Sequence, residues 1–204
     1  MNEVILKGII RDIQYSHVIN NIEYNQANLV VIRNDGYEDI VPLKFKKFSN
    51  KYKDGDLVEL VGNLRSHSYR VGDKNKVELY CFTYFDTPET NNDFSDISNS
   101  VEIDGRICKI EELRTTKSGK NNLHFILANN IISSSGNQKL NNYIPTVVWG
   151  KLAVDCSTLQ VSDYVRIKGQ LHSRVYKKVY PETNEMIIKI AHELVVKELE
   201  KIDA

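Results

Sequence analysis

Hydrophobic and polar residues alternate along most of this chain with a period of two, which is typical of β-strands. Val, Ile, Tyr and Phe are frequent in the alternating runs, and Gly, Asn, Asp and Ser separate the runs. The pattern predicts five strands in each half of the chain. In the first half they lie near residues 3–15, 23–34, 37–46, 56–69 and 76–85. In the second half they lie near residues 100–114, 121–132, 140–149, 163–176 and 186–198.

The two halves repeat one another with an offset of about 105 residues. The run NEVILKGIIRDI at 2–13 returns as NSVEIDGRICKI at 99–110, and DLVELVGNLRSHSY at 56–69 returns without a gap as DYVRIKGQLHSRVY at 163–176. Two copies in the same order indicate duplicated domains, since a solenoid needs more and shorter units. The predicted division is domain 1 over 1–87, an acidic linker over 88–98 and domain 2 over 99–204.

Glycines inside the long predicted strands indicate how each half folds. Gly8 and Gly62 lie within the first and fourth strands, and Gly105 and Gly169 occupy the same places in the second half. A strand that bends at such a glycine allows a five-stranded sheet to close into a small barrel.

Only the connections between the third and fourth strands leave room for a helix, at 46–55 and 150–162. A five-stranded barrel with one short helix at this place is the OB architecture. We therefore predict an all-β protein of two tandem OB-fold barrels, each with at most one short helix. The alternative of two small β-sandwiches needs about seven strands in each half, for which the chain is too short.

The overall charge does not indicate a partner, because 27 Lys and Arg side chains balance 27 Asp and Glu side chains. The charge is nevertheless uneven: residues 1–87 are neutral, residues 88–99 carry −3 and residues 100–204 carry +3. We therefore expect domain 2 to be the better electrostatic partner for phosphate groups.

The sequence predicts neither a membrane protein nor a secreted one. No apolar run reaches the length of about 18 residues that a membrane helix needs, and the first residues alternate like a strand instead of forming a signal peptide. Cys81, Cys108 and Cys156 are widely spaced and form no CxxC pair. We interpret them as core thiols of a cytoplasmic protein in a reducing compartment.

No catalytic or metal-binding motif is present, so we expect a non-catalytic protein without a cofactor or metal. The segment TTKSGKNN at 115–122 lacks the upstream glycine of a phosphate-binding loop. Glu111 and Glu112 are adjacent and would point to opposite faces of a strand. The histidines are too far apart in sequence to form a paired ligand motif. They are His17, His67, His124, His172 and His192.

A basic strand next to an aromatic strand is the strongest functional signal. In the third strand of domain 2, Tyr143 and Trp149 share one parity, and in the fourth strand the cationic face ends at Arg174 and Tyr176. Exposed rings stack on bases at about 1–3 kcal/mol for each base, and cations follow the phosphates of a single strand. The alternative is that the rings belong to the core and the cations to a solvated face.

Basic loops flank the predicted surface of domain 2. Lys117 and Lys120 lie in the loop between the first and second strands, and Lys177 and Lys178 lie in the loop between the fourth and fifth. OB barrels commonly bind oligonucleotides between these two loops. The loop at 69–76 in domain 1 is also basic.

At these residues the sequence resembles the bacterial single-stranded DNA-binding proteins. The segment YIPTVVWGKLA at 143–153 is similar to that family's aromatic strand ending in Phe-Gly-Lys-Leu-Ala. VRIKGQLHSRVY at 165–176 is similar to its hydrophobic-x-Gly-x-Leu-x-x-Arg-x-aromatic strand, and NSVEIDGRI at 99–107 to its opening strand. The resemblance covers nearly all of domain 2 and, more faintly, domain 1.

The resemblance implies base stacking on Tyr143, Trp149 and Tyr176 and a phosphate contact at Arg174. We expect further nucleic-acid contacts from the polar side chains around these residues. In domain 2 they are Lys117, Lys120, Lys151, His172, Lys177 and Lys178.

Domain 1 retains only part of this set. Aligning 38–48 with 142–152 matches Asp39 to Tyr143 and Phe45 to Trp149, and His67 stands in place of Arg174. One ring and the arginine are therefore lost. The candidate contacts in domain 1 are Tyr37, Lys44, Phe45, Arg65, Tyr69 and Arg70, with Tyr37 as a substitute for the missing ring.

The implied function is non-catalytic, sequence-tolerant binding of single-stranded DNA in replication, repair or recombination. The chain resembles the two-barrel variety of the family, in which a homodimer supplies four barrels, so we expect a homodimer. The chain ends in LEKIDA instead of the family's acidic tail. We therefore do not expect recruitment of replication enzymes through such a tail.

Three rival functions remain open from the sequence. An RNA-binding OB module uses the same surface chemistry and differs in how it reads the 2′-hydroxyl. A structural adaptor would bind proteins through its barrels and would bury Trp149. A small OB-type nuclease needs a carboxylate cluster for a metal, which the sequence does not offer.

Overall fold

The computed structural model describes residues 1–33, 35–47, 52–72, 74–88, 99–132, 139–180 and 185–202. These residues form eleven strands and one short α-helix, and a single sheet runs through all eleven strands. The predicted linker, 88–98, lies outside the described residues except for Pro88, where a strand ends.

Five strands from the first half of the chain form barrel 1. They are β1 (Asn2–Ile19), β2 (Ile22–Ile32), β3 (Glu38–Lys46), β4 (Leu57–Val71) and β5 (Lys74–Pro88). Their order in the sheet is β2-β3-β5-β4-β1, and β1 also pairs with β2, which closes the barrel. The pairing of β3 with β5 is parallel, and the others are antiparallel.

Barrel 2 repeats this arrangement with one small addition. Its strands are β6 (Asn99–Ile110), β7 (Arg114–Thr115), β8 (Asn121–Ile132), β9 (Lys139–Trp149), β10 (Tyr164–Tyr180) and β11 (Glu185–Lys201). The order β6-β10-β11-β9-β8 closes through the pairing of β6 with β8, and the two-residue β7 extends the edge of β8. Two five-stranded barrels therefore agree with the architecture predicted from the strand pattern.

The connection between β9 and β10 contains the helix α1 (Gly150–Asp155) and one 3₁₀ turn at Cys156–Thr158. Ala153 and Cys156 are buried and belong to the core of barrel 2. The described residues of 46–55 contain only the end of β3 and a turn, which agrees with the prediction of at most one short helix in each barrel.

Gly8 and Gly169 lie where two strands approach too closely for a side chain. A Cβ on Gly8 would overlap the carbonyl oxygen of Val30, and a Cβ on Gly169 would overlap that of Val195. A β-bulge interrupts the register of β10 and β11 at Gly169. These glycines thus allow the close strand contacts at which the barrels bend and close.

The two barrels join through β1 and β6, which form an antiparallel pair with Val4 opposite Val101. These valines occupy the same position in the two repeats, so a local two-fold axis passes between them. The first strand of each barrel therefore has its free edge paired within the chain. Val4 and Val101 are both fully buried and link the two cores.

Two asparagines attach these first strands to the fourth strands in the same way. Asn2 Nδ2 donates a hydrogen bond to the carbonyl of Leu64, and the backbone N–H of Leu64 donates to Asn2 Oδ1, both at 2.8 Å. Asn99 forms the same two hydrogen bonds with Leu171, at 2.8 and 2.9 Å. The asparagine that opens each repeat thus has a structural role.

Candidate nucleic-acid interface

The outer face of β9 presents two aromatic rings to solvent. Tyr143 and Trp149 are each 40% exposed and lie opposite Ala128 and Asn122 of β8. They are separated by about 20 Å along the strand, from the rise of a β-strand. Val147 shares their parity but is fully buried. One exposed ring therefore stands at the end of β9 and the other near its middle.

Trp149 ends β9 because the chain turns into α1 at the next residue. Gly150 has a φ of 66°, which glycine adopts without steric cost. Lys151 follows in the first turn of α1 and is exposed. The Gly-Lys pair after the aromatic residue thus combines a required turn with a cation close in sequence to the Trp149 ring.

The loop between β7 and β8 belongs to the same end of the sheet. Asn122 pairs with Trp149 on one side and with Arg114 on the other. Lys117 and Lys120 are exposed in the turn that joins β7 to β8. The structure therefore brings this basic loop to the Trp149 end of β9.

Arg174 and Tyr176 lie on one face of the long hairpin formed by β10 and β11. Arg174 Cζ is 5.8 Å from the centre of the Tyr176 ring, which is 36% exposed and lies opposite Lys189. Lys177 is exposed and points to the other face. Lys178 is strand in its backbone, and its side chain lies outside the described residues. The predicted loop at these lysines is therefore mostly strand.

His172 lies at the junction of the barrels, close to residues of β2. Its half-buried ring lines a cavity of about 270 Å³ together with Arg33 and Lys197. Burial lowers the pKa of His172 from its ordinary value of 6.5. The imidazole is consequently neutral at pH 7 and adds no positive charge to the interface.

Hydrogen bonds between the barrels show how β3 corresponds to β9. The backbone N–H of Ser66 donates to Asn142 Oδ1 at 3.0 Å, and that of Ser173 donates to Asp39 Oδ1 at 2.5 Å. Ser66 and Ser173 are matching positions of the repeat. Asp39 therefore corresponds to Asn142. The sequence alignment had matched Asp39 to Tyr143, which is the next residue along the chain.

This one-residue shift moves Phe45 from the outer face into the core. Its counterpart is Val148 and not Trp149, and both Phe45 and Val148 are buried. Phe45 is only 6% exposed and meets Tyr52 edge-on, with ring centres 6.5 Å apart. The prediction that Phe45 stacks on bases is wrong, because a shift of one residue exchanges the two faces of a strand. Lys46 takes the place of Trp149.

The hairpin of β4 and β5 carries other predicted contacts of barrel 1. Tyr69 donates a hydrogen bond from its hydroxyl to Glu78 at 2.6 Å, and Arg70 is exposed near the tip. Tyr37 precedes β3, is 69% exposed and has Arg33 Cζ 5.8 Å from its ring centre. Tyr37 therefore lies before β3, whereas Tyr69 and Arg70 lie in β4.

Lys44 and Arg65 lie against aromatic rings that the sequence analysis missed. Lys44 Nζ is 4.5 Å from the ring centre of Tyr80, and Arg65 Cζ is 3.8 Å from that of Phe82. The Tyr24 ring centre is 6.1 Å from that of Phe82. The period-two alternation of the fifth predicted strand could have revealed these rings, because it places Tyr80 and Phe82 on one face.

Within the described ranges, no three His, Cys, Asp or Glu side chains are grouped so as to hold a metal ion. In the same part of the chain, no helix is both long and apolar enough to cross a membrane. All three cysteines are free thiols, and burial raises the pKa of Cys81 to about 12. Cys108 is exposed, so its assignment to the core is wrong, whereas Cys81 and Cys156 are buried.

A family model described as the single-strand binding protein family matches residues 98–200, slightly more than half of the chain. The chain belongs to the single-strand binding protein family. The matched segment is barrel 2, with the exposed rings of Tyr143, Trp149 and Tyr176. No curated protein sequence matches the chain.

Two solved structures of the single-stranded DNA binding protein from Thermus aquaticus are similar to the whole chain. The wild-type structure has a TM-score of 0.74 and covers 100% of this chain and 94% of its own. A variant with a deletion and a substitution has a TM-score of 0.73 and covers 100% and 95%. The sequence identity is 17% in both cases, so the similarity concerns the fold. It includes both barrels.

Proposed function

We propose that this protein binds single-stranded DNA on the outer face of barrel 2. The family to which the chain belongs consists of non-catalytic DNA-binding proteins. The observation that carries the proposal for this surface is the exposure of Tyr143 and Trp149 at the positions that resemble the family's aromatic strand. The exposure of Trp149 also argues against the adaptor, for which this ring would be buried.

Binding proceeds by stacking of bases on the exposed rings. Each base that stacks on Tyr143, Trp149 or Tyr176 contributes about 1–3 kcal/mol. Every base has a π face, so stacking does not depend on sequence. The protein therefore covers exposed strands of any sequence, as replication, repair and recombination require.

Cations around the rings contact the phosphates. Those on the Trp149 side belong to α1 and to the loop between β7 and β8, and those on the Tyr176 side belong to the hairpin. They are Lys117, Lys120, Lys151, Arg174 and Lys178, whereas Lys177 lies on the opposite face of the hairpin. Each phosphate contact adds about 0.7 to the slope of log affinity against log salt for a single strand. Together these contacts give a slope of about 3.5, so affinity falls steeply as the salt concentration rises.

Trp149 is the only tryptophan of the chain, and its fluorescence tests this proposal directly. We expect saturable quenching by a dT oligomer of about 35 nucleotides, slightly more than the roughly 32 that two barrels hold at most, and weaker quenching at high salt. An RNA oligomer of matched sequence measures the preference for DNA. Absence of both quenching and binding would refute the proposal. A gel shift without quenching would place the bound strand away from Trp149.

We propose that the protein is cytoplasmic, which its free thiols support.

We propose the division into two domains over 1–87 and 99–204, joined by the linker 88–98. The end of β5 at Pro88 and the start of β6 at Asn99 support these boundaries. Proteolysis within 89–98 should yield two fragments that co-elute, because β1 and β6 remain paired. Cleavage elsewhere under the same mild conditions would contradict the proposed boundaries.

We also propose that two chains associate as a homodimer through an apolar patch on the hairpin of β10 and β11. Val175 and Ile190 are opposite each other and are 62% and 41% exposed, and Ile188 on the same face is 65% exposed. A patch of this kind can meet its own copy across a two-fold axis. Light scattering should give the mass of two chains for the wild type and of one chain for Ile188→Asp. A monomeric wild type would contradict the homodimer.

A further inference from the structure

A cavity of about 270 Å³ lies where the two barrels meet, between the end of β2 and the strands β10 and β11. Its lining comes from both barrels and is mostly polar or charged. The described lining residues are Val31, Ile32, Arg33 and Asp35 of barrel 1 and Asn99, Gln170, His172 and Lys197 of barrel 2. Sites for drug-sized molecules start at about 300 Å³, so this cavity has room for a small ligand.

The cavity occupies a place that a polar side chain spans on the other side of the local two-fold axis. In each barrel the glycine of the first strand lies against a carbonyl oxygen of the second strand, that of Val30 in barrel 1 and that of Ala128 in barrel 2. The residues that follow these carbonyls, Val31 and Asn129, are therefore matching positions of the repeat.

Asn129 connects the two barrels through its side-chain amide. Its Oδ1 accepts a hydrogen bond from Asn2 Nδ2 at 2.8 Å, and its Nδ2 donates to the carbonyl of Asp104 at 2.7 Å. Val31 has no polar side-chain atom, so it forms no such bond with Asn99, the counterpart of Asn2, and it lines the cavity instead. A difference of one residue between the repeats thus leaves polar space on this side of the junction.

Two cations of the lining have hydrogen-bond donors available to a ligand. Lys197 forms no ion pair with a carboxylate of the described residues. Arg33 binds Asp39 through Nε and Nη2, and Nη2 also donates to the carbonyl of Ser173 at 3.2 Å. Its Nη1 forms no hydrogen bond within the described part of the chain. Each barrel therefore contributes one cationic donor to the cavity.

The acceptors of the lining are mostly engaged by the protein itself. Asp35 is the single carboxylate among the described lining residues, and its Oδ1 accepts from the backbone N–H of Tyr37 at 3.1 Å. Gln170 Oε1 lies 3.4 Å from His172 Nε2, which leaves the Gln170 amide nitrogen as a donor. A lining with more available donors than acceptors favours a ligand that accepts hydrogen bonds and carries negative charge.

We propose that the cavity binds a small oxyanion between Lys197, Arg33 and His172, either inorganic phosphate or the phosphate group of a free mononucleotide. Phosphate oxygens accept charge-assisted hydrogen bonds from ammonium and guanidinium groups. The bound group connects the end of β2 in barrel 1 to β11 in barrel 2, and it stabilises the junction because it binds only the folded chain. This site goes beyond the function proposed for the outer face of barrel 2.

Titration of the full chain with inorganic phosphate tests the site, at an ionic strength held constant with chloride. The imidazole resonances of His172 in an NMR spectrum report binding at the cavity, because the ring belongs to the lining. The spectrum of His172→Gln assigns these resonances. We expect them to shift and to saturate, with a dissociation constant of about 1 mM for a few polar contacts to one small group.

A parallel titration with thymidine monophosphate distinguishes the two sources of the phosphate group. Tighter binding than that of inorganic phosphate would indicate a nucleotide, whose sugar and base then contact the lining as well. Equal or weaker binding would indicate free phosphate. Both results support the site.

Lys197→Gln and Lys201→Gln are matched variants, since each removes one lysine from β11. Lys197 lines the cavity, whereas Lys201 pairs with Asp163 at 2.8 Å. Both lysines are exposed, so both variants should fold. We expect Lys197→Gln to bind phosphate about 10-fold more weakly than the wild type and Lys201→Gln to bind as the wild type does. Equal affinities of the two variants would overturn the proposal.

The pH dependence of sulfate binding gives a second readout, since sulfate does not titrate near neutral pH. Burial lowers the pKa of His172, and the charges of Arg33 and Lys197 lower it further. Asp39 and Asp35 act in the opposite direction. A protonated ring adds a positive charge to the cavity, so sulfate should bind more tightly at pH 5.5 than at pH 7.5. An affinity independent of pH would contradict a contact between the anion and His172.

Two further results would count against a separate site for a small anion. Shifts that increase linearly with phosphate and do not saturate would indicate a general effect of salt. Displacement of bound phosphate by a dT oligomer would assign the cavity to the path of the DNA strand. Because the phosphate titration contains no DNA, its failure leaves the function proposed for barrel 2 unaffected.

Discussion

The carboxylate of Asp39 in barrel 1 accepts a hydrogen bond of 2.5 Å from the backbone N–H of Ser173 in barrel 2, and Asp39 has no exposed surface. Arg33 Nη2 and Nε donate to the two oxygens of the same carboxylate, at 2.5 and 2.6 Å. The symmetry-related contact uses the neutral Asn142 as the acceptor for Ser66. This ion pair, with a fully buried carboxylate and a half-buried guanidinium, therefore distinguishes this side of the junction from its two-fold counterpart.

Replacing Asp39 tests how much this junction stabilises the fold. Asp39→Ala leaves Arg33 and the Ser173 N–H without their acceptor, so we expect the free energy of unfolding to fall by about 3 kcal/mol. Asp39→Asn should cost clearly less, because an amide oxygen can accept from Ser173 as Asn142 does from Ser66. Urea unfolding of the three proteins measures the difference. Equal stability of the wild type and Asp39→Ala would show that the contact is not formed in solution.

Replacing Trp149 tests stacking in barrel 2. Trp149→Ala removes a ring that is 40% exposed, and we expect a loss of about 1–3 kcal/mol in binding to a dT oligomer. Trp149→Phe should retain most of the affinity, since a smaller ring still stacks. Fluorescence anisotropy of a labelled oligomer measures binding without relying on tryptophan. The stacking role would be excluded if both variants bound as the wild type does.

Two half-buried histidines near the junction predict a loss of stability at mildly acidic pH. Burial lowers the pKa of both His172 and His192 below 6.5, and the His192 ring lies 2.8 Å from the Ile40 carbonyl. Below pH 6.5 the unfolded chain binds protons that the folded chain does not. The stabilisation is therefore complete above pH 6.5 and decreases as the pH falls below it.

We expect the midpoint of thermal unfolding to decrease between pH 7 and pH 5. In the double variant His172→Gln with His192→Gln, the decrease should be smaller, and the glutamine at 192 can still donate to the Ile40 carbonyl. Calorimetry at several pH values measures this. The same pH dependence in both proteins would assign the effect to other groups.

Gly169 tests the close strand contact in barrel 2. Gly169→Ala places a Cβ against the Val195 carbonyl oxygen, and we expect a loss of stability of about 3 kcal/mol from this overlap. Gly119→Ala is the matched comparison, because Gly119 has a φ of +80° but no atom within 4 Å of its Cβ position. It should cost only about 1 kcal/mol, from the left-handed backbone. A reversed order of the two losses would contradict the steric argument.

The strands and the aromatic positions of barrel 2 could be predicted because they depend on local patterns. Alternation indicated which runs are extended, and the repeated glycines indicated where they bend. Tyr143 and Trp149 were found from their shared parity, and the structure exposes both. The grouping of Tyr24, Tyr80 and Phe82 was missed because it depends on the pairing of β2 and β5 with other strands. Phe45 was placed on the outer face because the third strand was aligned without a gap. Pro42 and Pro145 correspond in the structure. Aligning these two prolines would have revealed the one-residue shift between the third strands of the two halves.

The amino-acid sequence by itself determined the duplication, the all-β class and the faces of most individual strands. These properties follow from the alternation of hydrophobic and polar residues and from the glycines at which the strands bend. The tertiary structure alone decided that Val4 pairs with Val101, that Phe45 lies in the core and that Arg65 stacks on Phe82. The physical reason is that parity is a property of one strand, whereas register and neighbours are set by pairing between segments far apart in the chain.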